Sequence, residues 1–299
     1  LNPFPPGFEV LPVEEPRGRL VLTVDVEDWY DANYRSLRPP EDPPSTVERN
    51  THRILDLLAA RRHRATFFVL GRVAERFPRL VERIAREGHE VACHGFEHEL
   101  VYRQGSEAFA DGLRRARDAI AAACGRPPLG FRAPSASIVR ETLWAFDRLA
   151  ETGFRYDSSL APVANYLYGI RGTPGAPFFL RTPAGARLLE IPLPSLTLLG
   201  LRLPRGGGFS MRLLPHALER WFLRSRLRGA GFAMIYVHPR ELDPQAGRYR
   251  LELSPLESFV QHAGLRGHRR KLHDLLDRFP WTSIEEAFAA ALETSPVPC

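Results

Sequence analysis

Short apolar runs that each end in a chemically versatile polar residue recur along this chain, alternating with amphipathic stretches. Residues 20–26 read as a buried strand that runs into Asp25-Val26-Glu27-Asp28. Residues 65–70 form a second apolar run, stopped by Gly71, and residues 90–93 a third, which leads into His94. Residues 129–132 start another and carry Arg132; residues 232–237 form a late one, followed by His238. Residues 188–191 are a further strand candidate. Between these runs the apolar spacing is helical. Ser45 with Glu48 reads as a cap before the helical stripe Ile54, Leu55, Leu57 and Leu58. Residues 78–87, 106–123, 139–150 and 213–228 read as helices in the same way. Strand–helix alternation predicts βα units and a mainly parallel α/β sheet. In barrels of such units the chemistry gathers at the C-terminal strand ends. Asp25 to Asp28, His94, Arg132, Asp157 and His238 all fall at or just beyond one.

Composition narrows the field less than this pattern does. A 299-residue chain with 44% hydrophobic residues can bury a sizeable core. No stretch reaches the roughly 20 uninterrupted apolar residues that span a bilayer. The formal charge of +6 suggests nucleic acid, but Lys271 is the only lysine and the arginines are interleaved with acids. Without a basic stripe carrying stacking aromatics, no nucleic-acid partner is expected. Cys93, Cys124 and Cys299 do not make a disulfide framework, which fits a reducing compartment. No signal peptide is visible at the start, so a cytoplasmic or membrane-peripheral protein is expected. Residues 1–18 read as an extended N-terminal segment and 19–299 as one domain, with residues 162–183 a long loop near the reactive face.

The acids and histidines point to metal-assisted hydrolysis. One carboxylate and two imidazoles, here His94 and His98, make a facial ligand set with open positions. Asp25 and Glu27 alternate, so they share one face of a continuing strand, and Asp28 can turn over the mouth. Inward carboxylates on an aliphatic strand need a partner. His238 is placed to act as an acid towards a leaving amine, and Arg132 to hold a catalytic carboxylate through bidentate hydrogen bonds. Asp157 reads either as a turn residue or as the group that orients His238. Gly206-Gly207-Gly208 lacks the Lys-Ser/Thr ending of a P-loop and reads as a flexible loop near the site. Met211, Trp221, Phe222 and Leu223 read as core, and Cys93 as a packing residue rather than a nucleophile.

Taken together, 22–29, 65–71, 88–95, 131–135, 154–159 and 236–239 resemble the polysaccharide deacetylases with NodB homology, carbohydrate esterase family 4. Within that family the chain resembles the subgroup associated with exosortase and PEP-CTERM exopolysaccharide loci. The resemblance implies a distorted (β/α) barrel of about seven strands. It implies a divalent metal, most often zinc, on an Asp and the two histidines; such a set also accepts cobalt, nickel, manganese or iron. It implies an acetylated polysaccharide or oligosaccharide substrate, with a carboxylate base held by Arg132 and His238 held by Asp157. The family strand ends in two adjacent aspartates followed by Gly, whereas this one reads Asp-Val-Glu-Asp-Trp. Aligned on the adjacent acids, Asp28 is the ligand; aligned on the alternating acids, Glu27 is the ligand and Asp25 the base. Asp28 is the favoured ligand, with Asp25 and Glu27 both open as base. An allantoinase-like amidohydrolase and a glycan-binding pseudoenzyme are the competing readings.

Overall fold

The computed structural model describes residues 2–34, 37, 43–163, 168–198, 200–229, 231–246 and 251–294. In chain order the main elements are β1 (Glu9–Pro12), β2 (Leu20–Val26), α1 (Val47–Ala59), β3 (Thr66–Val69), α2 (Gly71–Arg76), α3 (Pro78–Arg86) and β4 (Glu90–Cys93). There follow α4 (Ser106–Cys124), β5 (Gly130–Phe131), α5 (Ala145–Glu151), β6 (Tyr156–Asp157), β7 (Phe178–Arg181), β8 (Arg187–Glu190), β9 (Ser195–Leu198) and β10 (Leu201–Pro204). The chain closes with α6 (Gly208–Leu213), α7 (His216–Arg228), β11 (Ala233–Val237), α8 (Pro255–His262), α9 (Leu265–Arg278), α10 (Ile284–Ala287) and α11 (Ala289–Glu293).

Nine strands form one sheet in the order β1-β7-β8-β6-β5-β4-β3-β2-β11. Seven of them, from β8 across to β11, run parallel. The barrel is an open one, because β8 and β11 do not pair. Residues 193–194 and 205–207 bridge the gap instead. Arg205 N–H donates to the Pro194 carbonyl and Tyr236 N–H to the Gly206 carbonyl. The glycine run 206–208 is thus tied to β11 through a bridge at Gly207 rather than lying loose, and Gly208 reaches the wall of the site.

Side chains alternate across the sheet with period two, and the two faces carry different chemistry. On β2, Leu20, Leu22, Val24 and Val26 join the outer core under the helices. That core receives Phe109, Leu113 and Ile120 from α4 and Ile54, Leu55 and Leu58 from α1. Each such side chain contributes roughly 1.5–3 kcal/mol by leaving water. The opposite face of β2 starts apolar with Val21, in an inner cluster with Phe68, Ala92, Tyr156 and Met234. Ile284 of α10, Phe288 at the junction and Leu292 of α11 pack into the same inner cluster. Further along β2, the inner side becomes polar.

Three expectations need correction. The segment 162–183 is not all loop: β7 lies within it and pairs antiparallel with β8 and with β1, so residues 9–12 are an edge strand. The helix expected over 213–228 starts three residues late, as α7 from His216, because Leu213 ends a separate helix, α6, and Pro215 removes a donor. Trp221 is not core; it is 64% exposed, whereas Met211, Phe222 and Leu223 are buried.

Candidate active site

The polar ends of the inner columns meet at the mouth of the sheet. From β2 come Asp25 and, one step past the strand, Glu27. From the end of β4 comes His94, from β5 Arg132, and from β11 His238. These residues line one cavity of about 230 Å³ together with His98. Gly95 takes φ 85, a left-handed turn that an L side chain resists. The chain doubles back there, and the rings of His94 and His98 come within 5.4 Å.

Glu27, His94 and His98 offer ligand atoms that all lie within 4.8 Å of one another. Glu27 Oε2 is 2.7 Å from His98 Nε2 and 3.5 Å from His94 Nε2. His94 Nδ1 bonds the Arg132 carbonyl at 2.7 Å, which makes Nδ1 the donor and leaves Nε2 free to face a cation. His98 Nδ1 lies 3.0 Å from the Asn33 side-chain amide, which also bonds the His98 carbonyl and Ser135 Oγ. His98 Nε2 is buried without a well-aligned hydrogen bond despite its nearness to Glu27. Buried acceptor atoms crowded in this way fit a shared divalent cation, and the donor set of two imidazoles and a carboxylate suits one. Burial alone would raise the Glu27 pKa, but His98, His238 and His94 hold it well below the usual carboxylate range.

Asp28 is occupied elsewhere. Its carboxylate accepts from Ser45 Oγ at 2.5 Å and from Thr46 N–H and Oγ1 at 2.8 and 3.1 Å. It therefore satisfies the start of α1, whose cap residue is Thr46 with no side-chain cap of its own. The expected Ser45–Glu48 capping box does not form, because Ser45 turns to Asp28. The expectation that Asp28 joins the two histidines gives way to Glu27, for the period-two reason that puts Asp25 and Glu27 on the inner face.

Arg132 is buried and spreads its donors over Asp25, Thr23 and Ser158, with a longer contact from Nη2 to Met234 Sδ at 3.5 Å. Nη1 bonds Asp25 Oδ1 at 2.7 Å and Thr23 Oγ1 at 2.8 Å; Nη2 and Nε bond Ser158 at 2.9 and 3.2 Å. The guanidinium also sits 4.1 Å from the Phe68 ring. Asp25 is thus held through one nitrogen, not the bidentate pair expected. Its other oxygen, Oδ2, faces His238 Nε2 at 3.9 Å, and Glu27 Oε1 faces the same nitrogen at 3.8 Å.

Asp157 does not touch His238. Its neighbour Tyr156 packs inside the barrel, so Asp157 points through the sheet to the outer face. There it accepts from Ser159 Oγ at 2.6 Å and Ser159 N–H at 3.0 Å, and pairs with Glu190 across the β6–β8 register. The residue that holds His238 is Glu241. A 3-10 turn over Pro239–Leu242 brings it back so that Oε2 lies 3.2 Å from Nδ1 and accepts from the His238 N–H at 3.1 Å. Burial would raise the Glu241 pKa, but His268, His238 and Arg212 hold it well below the ordinary range. Burial would lower the His238 pKa, yet Glu27, Glu241 and Asp25 raise it above its usual value. Sequence reasoning missed Glu241, although the spacing His-Pro-x-Glu is the signal that places it. Cys93 sits in the outer core with its thiol pushed up to about 12 by burial, consistent with a packing role.

Residues 16–156 match the family model described as Polysaccharide deacetylase, and residues 158–289 match a Domain of unknown function, DUF3473. A peptidoglycan-N-acetylglucosamine deacetylase of Bacillus cereus is 32% identical over 99 residues, which is 33% of this chain and 36% of that protein. A chitooligosaccharide deacetylase of Rhizobium leguminosarum bv. trifolii is 45% identical over 74 residues, 25% of this chain and 34% of that protein. The matches to these two curated relatives thus span about a third of their length. Among solved structures, a candidate polysaccharide deacetylase of Mycobacterium smegmatis superposes with a TM-score of 0.60 at 21% identity, covering 97% of this chain and 96% of that one. An allantoinase superposes at 0.59 with 17% identity, covering 96% and 94%. Both likenesses are likenesses of fold.

Proposed function

We propose that this chain, a member of the polysaccharide deacetylase family through residues 16–156, is a divalent-metal-dependent hydrolase that removes N-acetyl groups from an amino-sugar polysaccharide. The observation that carries the reading is one cavity lined by Glu27, His94 and His98, by Asp25 with Arg132, and by His238, whose Nδ1 is backed from behind by Glu241. Glu27, His94 and His98 would hold the cation, zinc being the first candidate. When bound, it would polarise the acetamide carbonyl and make water a better nucleophile.

The chain's own residues supply the proton movements. Asp25, fixed by Arg132, is the base that takes a proton from the attacking water. His238 Nε2 faces the same space and delivers a proton to the departing amine. Glu241 accepts from Nδ1–H, which aims the ring and favours the imidazolium, so that the Nε2 proton is the one delivered and the Nδ1 proton stays. The products are acetate and a glycan with a free amine. A bacterial exopolysaccharide or cell-envelope glycan is the substrate we favour, in keeping with the exosortase-associated subgroup that the motifs resemble.

Acetate release from N-acetylated oligosaccharides tests the reading. Release should stop with a chelator, return with zinc or cobalt, and be absent in His98→Ala. Turnover of allantoin without acetate release would favour the amidohydrolase reading instead. Glycan binding with no release from fully metal-loaded protein would favour a pseudoenzyme.

A further inference from the structure

Among the described residues, six large hydrophobic side chains stand out in solvent: Leu203, Leu213, Leu218, Trp221, Leu256 and Phe259. Scattered exposed apolar residues are ordinary. These are not scattered in sequence, since all six fall between residues 203 and 259. Three of them occupy one continuous piece, from the end of α6 through α7: Leu213 at 46%, Leu218 at 38% and Trp221 at 64% exposure. The inner face of α7 is fully used. Phe222 and Leu223 are buried, and Glu219 is paired with buried Arg205 at 2.6 Å. The outer face presents Ala217, Leu218, Trp221, Arg224, Ser225 and Arg228, at helical i, i+3, i+4 and i+7 spacing. It carries no carboxylate. Arg224 and Arg228 form no ion pair among the described residues.

We infer that this face of α7, with Leu213, docks on an anionic lipid bilayer. An aromatic-aliphatic stripe flanked by unpaired arginines suits the headgroup boundary, where Trp rests and Arg meets lipid phosphates. A second copy of the chain fits poorly, because a two-fold contact would bring together two faces that each carry arginines and no carboxylate to pair with them. No helix of the described residues is long and apolar enough to cross a membrane, so the contact is one of lying on the surface. Gly208, Phe209 and Arg212 of α6 line the catalytic cavity, and α6 runs directly into this face. Docking would therefore hold the site mouth close to the lipid. The inference does not depend on the deacetylase reading.

Vesicle binding tests it. The whole chain is sedimented with vesicles of phosphatidylcholine alone and of phosphatidylcholine with phosphatidylglycerol. The expected result is binding to the anionic vesicles at least about tenfold tighter than to the neutral ones, weakening as salt rises. Trp29 and Trp281 are buried and Trp144 is half-buried against the core beside Phe109, so a blue shift of tryptophan emission on binding should come chiefly from Trp221. Trp221→Phe should keep sedimentation and lose most of that shift. Leu218→Ser with Trp221→Ser, and Arg224→Glu with Arg228→Glu, should each weaken binding about tenfold or more while the circular dichroism and Tm stay unchanged. No binding to anionic vesicles at low salt would overturn the inference. So would binding indifferent to both double variants, or a concentration-dependent dimer that Trp221→Ser abolishes in the absence of lipid.

Discussion

Glu27 and Glu190 are both buried carboxyls near parallel strand ends, on opposite faces of the sheet, and their neighbours drive them to opposite charge states. Glu27, on the inner face, is ringed by His94, His98 and His238 and stays ionised. Glu190, on the outer face, meets another acid. Burial, and then Asp157, raise its pKa well above the ordinary range, so it keeps its proton. Desolvation is common to both; the sign of the adjacent charge decides the outcome. A carboxylate at a strand end is therefore not yet a site. It becomes one when the pleat turns it towards cations.

The largest effects should come from the inner face. Glu27→Ala should abolish stoichiometric zinc, read by elemental analysis of the purified protein. Asp28→Ala should keep the metal and instead lower stability by about 1–3 kcal/mol, because Ser45 and Thr46 lose their acceptor. If Asp28→Ala lost the metal and Glu27→Ala kept it, the placement of the ligand set would be wrong. Asp25→Asn should retain metal and lose roughly 10²–10⁴-fold in kcat, the usual worth of a positioned base.

Next in size is the contrast between the two acids offered as the support of His238. Glu241→Gln should lower kcat by roughly a hundredfold with little change in KM, and Glu241→Asp should restore part of it. Asp157→Asn should leave kcat near that of the parent protein and act on stability alone. The pH profile separates them further. His238 must be protonated to act as an acid, and its pKa is raised in the fold. Activity should therefore persist to higher pH than an ordinary imidazole allows, then fall as pH rises through the raised value. Removing the Glu241 charge should move that alkaline fall to lower pH; a profile unmoved by Glu241→Gln would mean that Glu241 does not tune the acid.

How much of this could be read in the sequence follows from the pleat. The apolar runs located β2, β3, β4, β5 and β11, and their final residues located the mouth, because period-two alternation is local. The ligand choice between Glu27 and Asp28 was readable in principle from the same alternation. What displaced it was the family pattern of adjacent acids, together with the idea that a strand-end side chain swings freely. Here α1 claims Asp28. The partner of His238 was less visible. Asp157 lies at a strand end like the true site residues, and only the inward packing of Tyr156 reveals that it faces away. β7 and β1 escaped notice because an edge pairing between residues 9–12 and 178–181 depends on contacts distant in sequence. Trp221 sat within an apolar triplet, and its exposure depends on which face α7 turns to the core.

The smallest effect lies on the outer face and concerns stability. Glu190 in the fold has a pKa above its unfolded value, so the native state binds its proton more tightly. That contribution is fully present below the ordinary carboxylate range and is lost as pH rises through the raised value. Glu190→Gln keeps the hydrogen-bonding shape of the protonated acid without a titrating proton. Asp157 can still accept from the Gln amide, and the Leu160 N–H still finds an oxygen. The variant should match the parent protein in Tm at low pH and exceed it modestly at neutral to alkaline pH, with a flatter curve between. Equal slopes for the two proteins would mean that Glu190 is ionised in the fold, and that the outer carboxyl pair is charged like its counterpart at the mouth.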